Sequence, residues 1–263
     1  MSPFERAALA GLAVSGALAV ATWVVSVKQR DASLVDRTWS LLVAAPAAAY
    51  AAVLDPPWNL RTLAVASLLA AWAIRLAVYV TRRNRGHGED PRYRAIRARN
   101  EPNFALKSLY LVFALQAVLA VVVAAPFLAG MAGTRSFGPL DAVGAAICAF
   151  GIVFEAIGDA QMSRFKAAPQ SAGQVMDRGL WRYTRHPNYF GEACVWWGFA
   201  VIAVGGAGVA GAWCLVSPLL MTLLLLKVSG VSLLEQDIGE RRPAYRDYIA
   251  RTPAFVPGMP RPH

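Results

Sequence analysis

The feature that most constrains this chain is a succession of long stretches almost free of charge. Ala7 to Val27 carries no Asp, Glu, Lys or Arg over 21 residues, about 31 Å as a helix at roughly 1.5 Å per residue, close to the ~30 Å hydrocarbon thickness of a bilayer. Further apolar runs cover Trp39 to Leu54, Thr62 to Val80 interrupted by Arg75, Ser108 to Thr134, Ala142 to Phe154, and Ala193 to Leu234 interrupted by Lys227. The last is too long for one crossing, and Gly205, Gly206, Gly208 and Gly211 offer a turn within it. The sequence therefore predicts an all-α, integral membrane bundle of seven transmembrane helices, read as one membrane domain over 1–263. A cleaved signal peptide is the rival reading of the first run, but its length and the runs that follow favour a retained helix.

Composition agrees. Hydrophobic residues make up 57% of the 263, and charged residues 16%, against about a quarter charged in a soluble domain. Disorder is excluded, and the formal net charge of +10 reads first as topology rather than nucleic-acid binding. With the N-terminus outside, the inner segments 28–38, 81–107, 160–191 and 227–263 hold 22 Lys or Arg, and the outer segments only Arg6, Arg61 and Arg135. That bias predicts an N-terminus outside and a C-terminus in the cytoplasm.

Cys148, Cys194 and Cys214 sit in apolar runs without metal-ligand spacing, so they read as core residues, and no metal site is expected. Gly206-Ala207-Gly208-Val209-Ala210-Gly211 matches a dinucleotide-loop pattern by letter only. It follows no strand and has no acidic residue some twenty positions on, so it reads as a turn between spans.

Chemistry concentrates on the inner side. The run Gly179-Leu180-Trp181-Arg182-Tyr183-Thr184-Arg185-His186-Pro187-Asn188-Tyr189-Phe190-Gly191-Glu192 precedes a span that opens with Trp196-Trp197. Polar groups crowded at a membrane boundary lose hydration unless they hold a ligand or one another. Pro187 and Gly191 are read as bracketing a turn that presents His186, Asn188 and Tyr189, with Glu192 starting the next helix. The bland alternative has Arg182 and Arg185 reaching to headgroups, beside Trp181 and Tyr183 in an aromatic belt. Upstream, Glu155, Asp159 and Lys166 share one helix face, with Arg164 nearby; they form either a functional stripe or a structural pairing with Arg75. The run from Arg82 to Arg94 interleaves guanidiniums with acids and Tyr93, a surface for something anionic and flat. Asp36, at the mouth of the second span, is read either as a helix cap pairing with Arg37 or as a proton donor to substrate.

These residues carry a likeness. The run GLWRYTRHPNYFGE, with FEAIGDAQMSRFK before it and YRDYIARTPAFVP after it, together with DASLVDRTW and GHGEDPRYRAIR, resembles the steroid 5-alpha-reductase family in its bacterial branch. The resemblance covers most of the chain; its R-H-P-N-Y-x-G core also occurs in sterol reductases and, in similar form, in isoprenylcysteine and phospholipid methyltransferases. It implies a membrane fold binding NADPH at its cytoplasmic half, on a face built from 81–107, 160–191 and 235–263, with a lipophilic substrate entering between helices. Carried over by motif, Asp159, Lys166, Asn188, Glu192 and Arg251 contact the dinucleotide, as do Arg75, Tyr79, Asn84 and Arg85. Arg164, Arg182, Tyr183, Arg185 and His186 complete the cofactor set, since guanidiniums bind phosphates bidentately. Asp36, Tyr189 and Glu192 are the catalytic candidates for polarising the carbonyl of an enone, steroid-like or isoprenoid-like, as hydride reaches its double bond. The alternative is a methyltransferase using S-adenosylmethionine on an isoprenyl or phospholipid group, for which the same turn and Glu235 would serve. Membrane lipids are expected partners, nucleic acid is not, and oligomeric state stays open.

Overall fold

The computed structural model describes residues 1–228, 230–235, 238–241 and 243–261, so positions 229, 236, 237, 242, 262 and 263 of the expected last span and tail lie outside the described residues. Every regular element among them is helical, and six stretches are long and apolar enough to cross a membrane. This is what hydrocarbon demands, because only a helix or a closed barrel satisfies every backbone N–H and C=O without water.

The chain forms two compact units, Met1–Asp141 with Ile202–Ser217, and Ala142–Val201 with the chain from Pro218 onward. In the first, α1 (Pro3–Gln29) opens with a capping box: the Ser2 hydroxyl accepts from the Glu5 N–H, and the Ser2 N–H donates back to the Glu5 carboxylate. These two bonds satisfy donors that a helix start leaves open. Ala7, Gly11, Ser15, Ala19, Thr22 and Ser26 are its buried residues. Their three- and four-residue spacing makes one face of small side chains, which lets backbones approach where lipid supplies no hydrophobic drive. Against that face lie α2 (Leu34–Leu54) and α5 (Phe104–Ala132), and the Ser15 hydroxyl reaches the carbonyls of both Leu42 and Ala117 at 3.4 and 3.3 Å. Between them run α3 (Leu60–Asn84) and the short polar α4 (Pro91–Asn100). At the start of α3 the buried Arg61 guanidinium meets Asp141, with Nη2 2.9 Å from Oδ2, and donates to the carbonyls of Arg135 and Ser136. A charge pair this enclosed is tolerable because nearly every donor is used.

The second unit is built on α6 (Pro139–Ala167), whose 29 residues amount to about 43 Å and so outrun the hydrocarbon and carry its last turns into polar surroundings. It crosses α7 (Pro187–Ala207) at glycines. A Cβ on Gly151 would stand 2.6 Å from the Gly191 carbonyl oxygen, and one on Gly198 would stand 2.6 Å from the Cys148 nitrogen.

The α7 helix ends at Ala207, Gly208 takes a left-handed φ of 67°, and a 3-10 stretch Gly208–Leu215 leads into α8 (Val216–Leu223). Trp197 Nε1 lies 3.3 Å from Thr222 Oγ1, whereas 25 residues of straight helix would separate them by about 37 Å. The chain has therefore doubled back. A π-helical stretch Leu224–Val228, α9 (Val231–Glu235), α10 (Ile238–Arg241) and α11 (Ala244–Arg251) complete the described elements.

Candidate functional site

Each unit carries its own polar cluster. In the first, the loop before α2 and the segment before α4 knit together. Asp90 caps α4 by accepting from the Arg92 N–H at 2.9 Å, and its own N–H donates to the Ser33 hydroxyl at 3.3 Å. Glu89 accepts from the Ala32 N–H at 2.8 Å and from Arg97 at 2.7 and 3.0 Å. Burial works to raise the Glu89 and Asp90 carboxyls, but the bonds from Arg97 and Arg92 outweigh it and hold both below the ordinary range.

Asp36 sits at the centre of this cluster. It does not pair with Arg37, as one reading of the sequence expects; Tyr93 donates to its Oδ1 at 2.6 Å and Arg92 to its Oδ2 at 2.8 Å. Arg37 turns instead to Asp31 at 3.8 Å and to the Asn84 carbonyl at 3.3 Å. The reason is geometric, since adjacent helical residues point about 100° apart and cannot face one another. Burial, then the neighbouring Asp36 carboxylate, push the Tyr93 phenol well above its usual value, so it holds its proton. The Arg82 to Arg94 run is thus partly consumed by internal pairing, with Arg82, Arg83, Arg85 and Arg94 left exposed. On α3, Arg75 and Tyr79 are four apart on one face and half-buried, Arg83 lies 5.8 Å from the Tyr79 ring, and Asn84 Oδ1 accepts from Arg83 Nε at 3.0 Å.

In the second unit α6 buries Glu155 and Asp159, each 4% exposed, while Arg164 and Lys166 emerge at its polar end. The returning segment is pinned to this helix. Leu180 N–H donates to Gln161 Oε1 at 2.9 Å, and Trp181 Nε1 donates to the Gly158 carbonyl at 3.0 Å. Gly179 is left-handed at φ 59°, and a Cβ there would meet the Gln161 amide at 2.5 Å. The C-terminal segment then closes over the motif. Arg185 N–H donates to the Pro253 carbonyl, Thr184 Oγ1 to the Phe255 carbonyl and Gly258 N–H to the Tyr183 carbonyl, at 2.9, 2.8 and 3.0 Å.

Arg185 is buried and bidentate on Glu235, with Nε to Oε1 and Nη2 to Oε2 both 2.7 Å, while Nη1 serves the carbonyls of Ile249 and Thr252. His186 Nε2 lies 2.9 Å from Glu235 Oε1, and its ring stacks on Tyr189 at 5.2 Å. Burial tends to raise the Glu235 carboxyl, but hydrogen bonds from His186 and Arg185 bring it down to about 2. Sequence reading placed Arg185 and His186 in the cofactor set; the structure gives both this internal partner.

The Pro187 to Gly191 segment corrects another expectation. It is the first turn of α7 rather than an irregular loop, because proline fits the first helical position, where its missing N–H is not needed. Gly191 serves the crossing with α6. Asn188 and Tyr189 are half-buried on this turn, and the Asn188 Oδ1 is buried with no hydrogen-bond partner among the described residues. One turn on, Glu192 is buried and accepts from Trp196 Nε1 at 2.9 Å. Arg182 and Tyr183 are exposed, and Arg251 reaches Asp177 at 3.5 Å. Sequence reasoning read the acids and Tyr93 of the 82–94 run as a docking surface and passed over their pairing with Asp36, Ala32 and Arg97, and over the anchoring role of Glu235; the acids interleaved among arginines were the available signal for the first of these.

Fold and clusters together define a polytopic helical membrane protein with charged networks at the ends of its spans. The chain belongs to the family described as protein of unknown function (DUF1295), which matches residues 22–252. It is 27% identical to the uncharacterized protein C594.04c of Schizosaccharomyces pombe, over 96% of this chain and 80% of the relative. No solved structure matches it.

Proposed function

We propose that the chain is an NADPH-dependent reductase of the steroid 5-alpha-reductase type, acting on the carbon-carbon double bond of a lipophilic enone. The observation that carries this reading is the first turn of α7: a buried Asn188 carbonyl oxygen not used by the described residues, one helical turn from the buried Glu192. Native structures rarely leave such an oxygen unmet, and an amide-bearing ligand such as a nicotinamide is a suitable donor. Exposed Arg164, Lys166 and Arg182 in the same unit are the chemistry that phosphates require.

When bound, NADPH supplies the hydride, so that enone, NADPH and a proton become saturated ketone and NADP+. The protein's share is to hold the acceptor and to meet the negative charge that grows on its carbonyl oxygen. Tyr189 and Glu192, in the second unit, are the groups assigned to that oxygen; Asp36, in the first, already accepts from Tyr93 and Arg92. A methyl donor carries no phosphate and gives the exposed arginines less to bind, and Glu235, the acid the methyltransferase reading uses, already has both oxygens engaged by Arg185, which favours the reductase over the methyltransferase. The reading also carries the finer topology: seven crossings, counting the doubled Pro187–Val228 stretch as two, with the N-terminus outside and the cofactor on the cytoplasmic side of a bacterial inner membrane.

Thermal unfolding of the detergent-purified protein against NADPH, NADH and S-adenosylmethionine tests this. NADPH at a hundredfold its dissociation constant is expected to add about 2.7 kcal/mol, and Asn188→Ala to weaken that response. Stabilisation by S-adenosylmethionine alone would overturn the reading.

A further inference from the structure

The first unit contains a cavity of about 560 Å³ where the end of α1 meets the start of α5, with Ser26, Val27, Arg30, Arg97, Phe104 and Ala105 in its wall. That volume is within the roughly 300–1,000 Å³ of small-molecule sites. The two helices are fastened beside it by Trp23 Nε1 donating to the Ala105 carbonyl at 2.8 Å. Its wall combines the apolar Val27, Ala105 and Phe104 with two guanidiniums.

Those guanidiniums differ. Arg97 is committed, paired through two nitrogens with Glu89 and stacked 4.5 Å from the Phe104 ring centre. The Arg30 side chain is exposed and makes no hydrogen bond or ion pair among the described residues; only its backbone is engaged, the N–H capping α1 on the Ser26 and Val27 carbonyls and the carbonyl accepting from Arg97 at 3.4 Å. Arg30 also stands at φ 53°, a helix-terminal position where glycine is sterically cheapest. Its presence there serves the backbone poorly and sets a cation over the cavity. At Arg30 the uncharged Ala7 to Val27 run has just given way to Lys28, the change from hydrocarbon to headgroup depth. Glu101 is the one acid in the wall apart from the paired Glu89 nearby.

We propose that this cavity binds the head of an anionic phospholipid, its phosphodiester on the Arg30 guanidinium and the first carbons of its chains along Val27 and Ala105. A guanidinium fork matches phosphate oxygens in pairs, and basic residues at this depth attract anionic lipid. Free phosphate would gain nothing from the apolar wall, so the occupant is the lipid. The assignment does not depend on the reductase reading.

The test uses the full chain in detergent, titrated with short-chain phosphatidylglycerol, short-chain phosphatidylcholine and inorganic phosphate, with binding read by native mass spectrometry and stability by thermal unfolding. Phosphatidylglycerol is expected to bind saturably, and the other two about tenfold more weakly. Arg30→Gly relieves the left-handed backbone, so it is expected to keep its lipid-free stability while losing about fivefold in phosphatidylglycerol affinity. Arg30→Asn, also at home at that φ, is expected to match it. Equal binding of the two lipids, unchanged affinity in both variants, or inorganic phosphate binding as tightly as the lipid would each overturn the proposal.

Discussion

Glu235 answers two side chains of the R-H-P-N motif at once, taking both Nε and Nη2 of Arg185 and Nε2 of His186. Its carboxyl is brought from 4.5 to about 2 in the folded protein. The unfolded chain therefore takes up the proton first on acidification. The stability this group contributes is complete above about pH 4.5 and fades as the pH falls toward about 2. Glu235→Gln should lose on the order of 2 kcal/mol at neutral pH, since it leaves a buried guanidinium half-answered, and should flatten the acid limb of a melting-temperature profile measured in detergent. A variant that melts at the wild-type temperature at pH 7 would show that the pair contributes nothing. The motif itself was legible, because polar residues massed beside a span need partners. Its principal partner was not, because Glu235 lies 50 residues from Arg185 and nothing local marks it.

Helix crossings depend on what is missing from side chains. The α6 and α7 helices touch through Gly151, Gly191 and Gly198, where an added Cβ would come within 2.6 to 2.8 Å of the partner helix's atoms. Gly198→Ala is expected to cost about 2 kcal/mol, the range of overpacking in a close-packed interior. Gly138→Ala, with nothing within 4 Å of its Cβ, should stay within about 0.5 kcal/mol. Denaturant unfolding in mixed micelles distinguishes the two, and equal effects would mean that the crossing is not close. Element positions were readable, because an uncharged run of span length can satisfy its backbone in lipid only as a helix. The role of each glycine was not: Gly191 reads in sequence as a turn residue and acts in the fold as a contact surface, while Gly208, in the glycine-rich stretch read as a turn, does take the left-handed conformation.

Over the whole molecule, the proposed seven-crossing topology puts most of the positive charge on one side. Lys and Arg cluster in 28–38, 81–107, 160–191 and 227–263, and the outer side of that topology holds only Arg6, Arg61 and Arg135. In a cysteine-free background, single cysteines replacing Arg94 and Arg6 should label from opposite sides of sealed vesicles, with Arg94→Cys reached from the cytoplasmic side. Labelling of both from one side would refute the seven-crossing topology.

The amino-acid sequence alone determined that this chain is helical and belongs in a bilayer, and where its polar ends gather. Those properties follow from local composition and length, which hydrocarbon reads residue by residue. Only the tertiary structure decided which charges meet: Arg61 with Asp141 across 80 residues, Arg185 with Glu235, and Asp36 with Tyr93 and Arg92 rather than its neighbour Arg37. Pairing depends on distance in space, and a charge removed from water takes whichever partner the packed helices bring to it.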